Sequence, residues 1–107
     1  MMNVNEIKTP KEFRKAIKHG ITLVDFHTPW CAPCRIQEPI LLHLAEEFAG
    51  KAEIACMNID HNRETAVHLG IKGIPTLMIF RNGKEIQRFV GLQTESALSD
   101  ALRQVMQ

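Results

Sequence analysis

Trp30-Cys31-Ala32-Pro33-Cys34-Arg35 sits where one periodicity gives way to another. Before it, Ile21-Thr22-Leu23-Val24-Asp25-Phe26 is almost continuously apolar, as a strand covered on both faces must be. After it, Ile36, Ile40, Leu44 and Phe48 recur every four residues, with Leu41 and Ala45 beside them. That pattern predicts a helix ending at Gly50. Pro39 lies inside this helix and removes one backbone bond, to the carbonyl of Arg35, so a kink is predicted there. If Cys31 opens the helix, its thiol lies where free N–H groups and the positive end of the dipole favour a thiolate. Cys34 falls on the same face one turn later, with the two Cα atoms about 5–6 Å apart, inside the disulfide window. The pair can then pass between dithiol and disulfide with little backbone motion. A metal site remains an alternative for these two cysteines at this point.

The pattern extends in both directions from this junction. Val4 to Ile7 reads as a short strand. Thr9-Pro10-Lys11-Glu12 is a helix start, with Thr9 as N-cap, Pro10 at the first position and Glu12 completing a capping box. Phe13, Ala16 and Ile17 give that helix its apolar face, and Gly20 ends it. Ala52 to Ile59 is a second buried strand. Asn62 is placed to cap a short helix through Leu69 that Gly70 stops. Thr76 to Phe80 and Glu85 to Val90 are strands joined through Asn82-Gly83, a two-residue hairpin signal because both residues tolerate positive φ. Gly91 breaks the second of them. Thr94 caps a last helix carrying Ala97, Leu98, Ala101, Leu102 and Val105 on one face. Helices alternate with buried strands and a hairpin comes late, so the fold class is α/β, a mixed sheet with helices on both faces.

Composition narrows the function classes. A chain of 107 residues makes one domain, 1–107. The apolar share of 45% is that of a globular protein. A formal net charge of +1 with mixed signs carries no footprint for nucleic acid or an anionic membrane. No apolar run reaches the roughly 18–20 residues that span a bilayer. The start, Met1-Met2-Asn3-Val4-Asn5-Glu6, has no charged-then-apolar leader pattern, so a cytoplasmic monomer is expected. Three cysteines are too few for a disulfide-stapled secreted fold, and in the cytosol a close pair points to redox or metal chemistry. His19, His43, His61 and His68 form no helical metal pair.

Trp30-Cys31-Ala32-Pro33-Cys34 resembles the active-site motif of the thioredoxin family. Leu23-Val24-Asp25-Phe26, Asn58-Ile59-Asp60, Gly73-Ile74-Pro75-Thr76-Leu77, Asn82-Gly83 and Gly91 match the same family in order and spacing, over nearly the whole chain. The resemblance implies a thioredoxin fold, a central mixed five-stranded sheet flanked by four helices. It implies a general protein-disulfide reductase that is recharged by a thioredoxin reductase drawing on NADPH and needs no bound cofactor or metal of its own. Cys31 would be the nucleophile at the exposed helix tip and Cys34 the buried resolving thiol. Asp25, an acid in an apolar strand, would have a raised pKa and help deprotonate Cys34. Pro75 would be cis, and Ile74 would offer its backbone to extended substrate by β-augmentation. Trp30, Gly73, Ile74, Gly91 and Leu92 would form an apolar docking rim.

Four positions depart from the family pattern. Ala32 stands where Gly is usual and adds a methyl group at the rim, while Pro33 is kept. Arg35 replaces Lys and preserves its charge. His27 stands where many members carry Trp, either as a group titrating near pH 6–7 that modulates Cys31 or as a solvated loop residue. Cys56 stands where many carry a Lys near the buried Asp. Without that counter-charge Asp25 is expected to titrate higher than in a typical member. Cys56 itself reads as inert packing, with a third redox thiol as the alternative. The rival functions are an oxidising or isomerising enzyme of the same fold, a glutaredoxin, and a binding module whose cysteines matter little.

Overall fold

In the computed structural model, which describes residues 4–107, the apolar run before the cysteines becomes the middle strand of a five-stranded sheet. Met1, Met2 and Asn3 lie outside the described residues. In chain order the elements are β1 (Asn5–Ile7), α1 (Pro10–Ile17), β2 (Ile21–His27), α2 (Ala32–Glu47), β3 (Glu53–Asn58), α3 (Arg63–Leu69), β4 (Thr76–Arg81), β5 (Lys84–Val90) and α4 (Glu95–Met106). The strands lie in the order β1-β3-β2-β4-β5. β3 runs parallel to β1 and β2, and β4 runs antiparallel to β2 and β5.

Side chains alternate across a strand, so β2 feeds two cores. Leu23 joins a cluster with Leu41 and Leu44 of α2, Phe48 at that helix's C-cap, and Leu98, Leu102 and Val105 of α4. Val24 and Phe26 join Phe13 and Ile17 of α1 on the opposite face, with Met57 and Met78 beside them and Leu69 of α3 packed against the cluster. Phe13 meets Phe26 and Phe80 edge-on, ring centroids 5.9 and 5.5 Å apart, a favoured aromatic geometry. By the same alternation Asp25 belongs to the α2 face, and its neighbour in register on β3 is Cys56. An acid is thereby carried into the apolar side of the sheet beneath α2.

Local chemistry fixes the ends of the elements. The hydroxyls of Thr9 and Thr94 accept the backbone N–H groups of Glu12 and Ala97 and cap α1 and α4. The Glu12 carboxylate reaches back one residue beyond the cap, to the amide of Lys8. Asn82 and Gly83 both have positive φ, 50° and 88°, and close the β4–β5 hairpin in two residues. Between Ile79 and Phe80 the pairing shifts, leaving Ile86 as an extra residue on β5.

Two expectations are corrected. The buried face of α2 is Cys34, Gln37, Leu41 and Leu44, continued by Phe48 at the C-cap, whereas Ile36 is exposed. Ile40, Leu44 and Phe48 keep to one core with Leu41 and Ala45; a four-residue row drifts about 40° per step around a helix of 3.6 residues per turn, and Ile36 at its start falls outside that core. Asn62 precedes α3 without a side-chain cap; its amide donates instead to the carbonyl of Asn58, which ties the loop after β3. The helix α2 runs unbroken through Pro39.

Candidate functional site

The junction of β2 and α2 places Cys31 at the N-cap of α2 and Cys34 inside its first turn. They form a disulfide with Cα atoms 5.2 Å apart. The backbone N–H of Cys34 donates to Cys31 Sγ at 3.3 Å, so the sulfur takes the place that a serine or aspartate oxygen fills in an ordinary cap. Negative charge at this sulfur is favoured by that amide and by the helix dipole. The exposed tip expected for Cys31 is not found. Cys31 is 6% exposed and Cys34 5%, and the segment before Pro75 lies against Cys31. What separates the two cysteines is direction. Cys31 Sγ lies 4.0 Å from the carbonyl oxygen of Ile74, while Cys34 lines a cavity on the sheet side of α2.

That cavity has space of about 20 Å³ for water centres, enough for one molecule. Asp25, His27, Cys34, Glu38 and Cys56 line it, with Leu41 behind them. Among the described residues, three buried polar atoms find no protein partner: Asp25 Oδ1, His27 Nε2 and Thr28 Oγ1. Burial and then the nearby charge of Glu38 push the Asp25 carboxyl up from 3.8 to about 7. Burial also lowers His27 below its ordinary value, against the opposing pull of Glu38, Glu6 and a backbone contact at Thr28. His27 is therefore a half-buried, neutral strand-end residue at pH 7, and not a solvated loop histidine. The Cys56 thiol is pushed up to about 12, first by burial and then by Asp25, Glu6 and Glu38. At neutral pH it is a protonated, poorly nucleophilic thiol beside the acid.

Across from the cysteines the Ile74–Pro75 peptide bond is cis. The Pro75 carbonyl accepts the amide of Gly91 at 2.7 Å, which draws the loop after β5 to the same edge. Gly73 lies against β5, where an added Cβ would come within 2.9 Å of Val90 Cγ1. Trp30 is 68% exposed and Leu92 44%. Ala32, Pro33 and Arg35 are exposed on the first turn of α2, and the Arg35 guanidinium donates back to the Pro29 carbonyl.

Two residues were not singled out by the sequence reading. The Trp30 indole N–H donates to Asp60 Oδ2 at 2.9 Å, which fixes the exposed ring. An acid just past the end of the strand beside β2 was the available signal. Gln37, fully buried, exchanges two hydrogen bonds with the backbone of Gln93. A glutamine in an amphipathic helix gives no sign of this.

Residues 4–104 match the family model described as Thioredoxin. A thioredoxin of Staphylococcus aureus is 36% identical over 94 residues, covering 88% of this chain and 90% of its own. Among solved structures, a mutant thioredoxin from Halobacterium salinarum superposes with a TM-score of 0.90 at 32% identity, covering 96% of this chain and 90% of that one. A Fasciola hepatica thioredoxin gives 0.86 at 31% identity, covering 94% and 98%. Among the described residues no helix is long and apolar enough to cross a membrane.

Proposed function

The chain belongs to the thioredoxin family and is a thiol–disulfide oxidoreductase, and from that premise we propose that it is a general protein-disulfide reductase working through Cys31 and Cys34. The observation that carries this reading is the disulfide-forming pair at the N-cap of α2, with the inner cysteine sharing a cavity with a buried acid that titrates near neutrality. The Cys31 thiolate attacks one sulfur of a substrate disulfide. A mixed disulfide forms, and the other substrate sulfur leaves as a thiolate that takes up a proton. Asp25 accepts the proton of Cys34, through a water that the cavity has room for. The Cys34 thiolate then attacks Cys31 Sγ and expels the second substrate thiol. Two electrons have passed to the substrate and the Cys31–Cys34 disulfide remains. A thioredoxin reductase, itself fed by NADPH, returns the pair to the dithiol.

Extended protein substrates dock along the backbone of Ile74 before Pro75, on a rim formed by Trp30, Gly73, Gly91 and Leu92. An apolar rim with backbone pairing suits many sequences, as a general reductant in the cytoplasm requires. Ala32, Pro33, Arg35, His27 and Cys56 tune the pair. The neutral His27 and the uncharged Cys56 leave Asp25 without a cationic partner, which supports a high titration point for the acid.

Insulin reduction driven by dithiothreitol tests the reading, together with the reduction potential of the pair. The expected potential lies near the about −270 mV known for thioredoxin itself. A value near the about −120 mV of a strong oxidant, or no acceleration of insulin reduction, overturns it.

A further inference from the structure

Gln37 lies one turn beyond Cys34 on the buried face of α2, which it shares with Leu41 and Leu44, and is fully buried. A polar group in such a place costs free energy unless its hydrogen bonds are made. Here both are made to one residue of another segment. Gln37 Nε2 donates to the Gln93 carbonyl at 3.0 Å, and the Gln93 amide donates to Gln37 Oε1 at 2.8 Å. The side-chain amide thus pairs with the backbone as a neighbouring strand would. Two residues earlier, the Gly91 amide is held by the Pro75 carbonyl, and the Gln93 side chain donates to the Gly91 carbonyl at 3.2 Å. Leu92 projects between two backbone anchors, one on the segment of Ile74 and Pro75, the other on the helix that carries the cysteines.

We infer that Gln37 is a positioning residue for substrate: by clamping Gln93 it sets where Leu92 stands relative to the cysteines, and so selects for protein disulfides over small ones. This rests on the reductase reading above. An apolar residue would fill the same core position, but it would leave both backbone groups of Gln93 without their partner and release the loop on its α2 side. A small disulfide needs only the sulfurs. A protein disulfide must also lie against the rim.

The test compares second-order rates of the reduced protein toward insulin and toward hydroxyethyl disulfide. Gln37→Met is expected to slow the insulin reaction about fivefold, in line with a lost hydrogen-bond pair. The hydroxyethyl disulfide reaction should change less than about twofold by the same reasoning. Gln93→Pro, which deletes the loop amide and spares α2, should reproduce the split should Gln37→Met prove misfolded by its amide NMR spectrum. In the Gln37→Met background, Leu92→Ala should slow insulin reduction less than it does in the parent, because the two act through one contact. Equal slowing on both substrates, no slowing, or full additivity of the two substitutions overturns the inference. An inactive parent counts against the reductase reading; an active parent with unaltered variants counts against Gln37 alone.

Discussion

Asp25 sets the pH behaviour of the molecule. Its carboxyl is raised from 3.8 to about 7, so between those values the folded chain keeps a proton that the unfolded chain gives up. Stability contributed by the neutral acid is complete below about pH 4, falls as pH rises, and is lost above about pH 7. The full shift corresponds to about 4 kcal/mol. Asp25→Asn should therefore make the oxidised protein more stable to urea at about pH 8.5, by a few kcal/mol, with the difference vanishing near about pH 4. A gain of equal size at both pH values would show that the carboxylate's burial is not its source. Two substitutions should pull the same titration down. Glu38→Gln removes a like charge and Cys56→Lys adds an opposite one beside the acid on the next strand. Carbon NMR of Asp25 in the reduced protein checks both, and an unmoved Asp25 pKa in Cys56→Lys defeats the counter-charge argument. Cys56, with its thiol near 12, should escape iodoacetamide at about pH 8 while Cys31 of the reduced protein is alkylated, as read by peptide mass.

At the scale of elements, the junctions carry most of the specification. Thr94 closes the N-terminus of α4 through its hydroxyl, and Thr94→Ala should cost about 1 kcal/mol in urea unfolding. Gly73 packs against the side chain of Val90. Gly73→Ala should displace Val90 and slow insulin reduction, and Val90→Ala in the same chain should restore it; failure to restore would place the role of Gly73 elsewhere. The starts and stops of helices were legible in the sequence because Thr9, Thr94, Gly20, Gly50 and Gly70 act locally, through their own backbone or the next turn. The site was legible at Cys31, Cys34 and Asp25 because cysteine spacing and an acid in an apolar run are both local exceptions. Gln37 and Asp60 were not, since each takes its meaning from a partner distant in sequence, Gln93 and Trp30. The burial of Cys31 was hidden for the same reason. The N-cap position pointed outward, and the segment that covers it begins some forty residues later.

The whole molecule is a sheet with a hard centre and softer margins. β2 and β4 each pair with a strand on both sides and are buried along nearly their whole length, whereas β1 is a three-residue edge. Hydrogen exchange should accordingly be slowest at Leu23, Val24, Leu77 and Met78, and faster along β1 and β5. α2 and α4 are joined at the rim of one core by Glu47, which meets both Ser99 and Arg103, while the Arg103 guanidinium lies over Phe48 at 5.6 Å. The irregularity at Ile79 and Phe80 bears on life in a crowded solution. An outer strand with an open row of amides and carbonyls invites another copy to add to it. β5 is such a strand, yet its extra residue Ile86 breaks the even spacing, and Lys84, Glu85 and Arg88 line it with charge. Copies that meet along this side find no matching ladder. In the reductase proposed above, the margin that offers the backbone of Ile74 to substrate is separate from the margin of β5, whose broken spacing and charge disfavour the addition of a second copy.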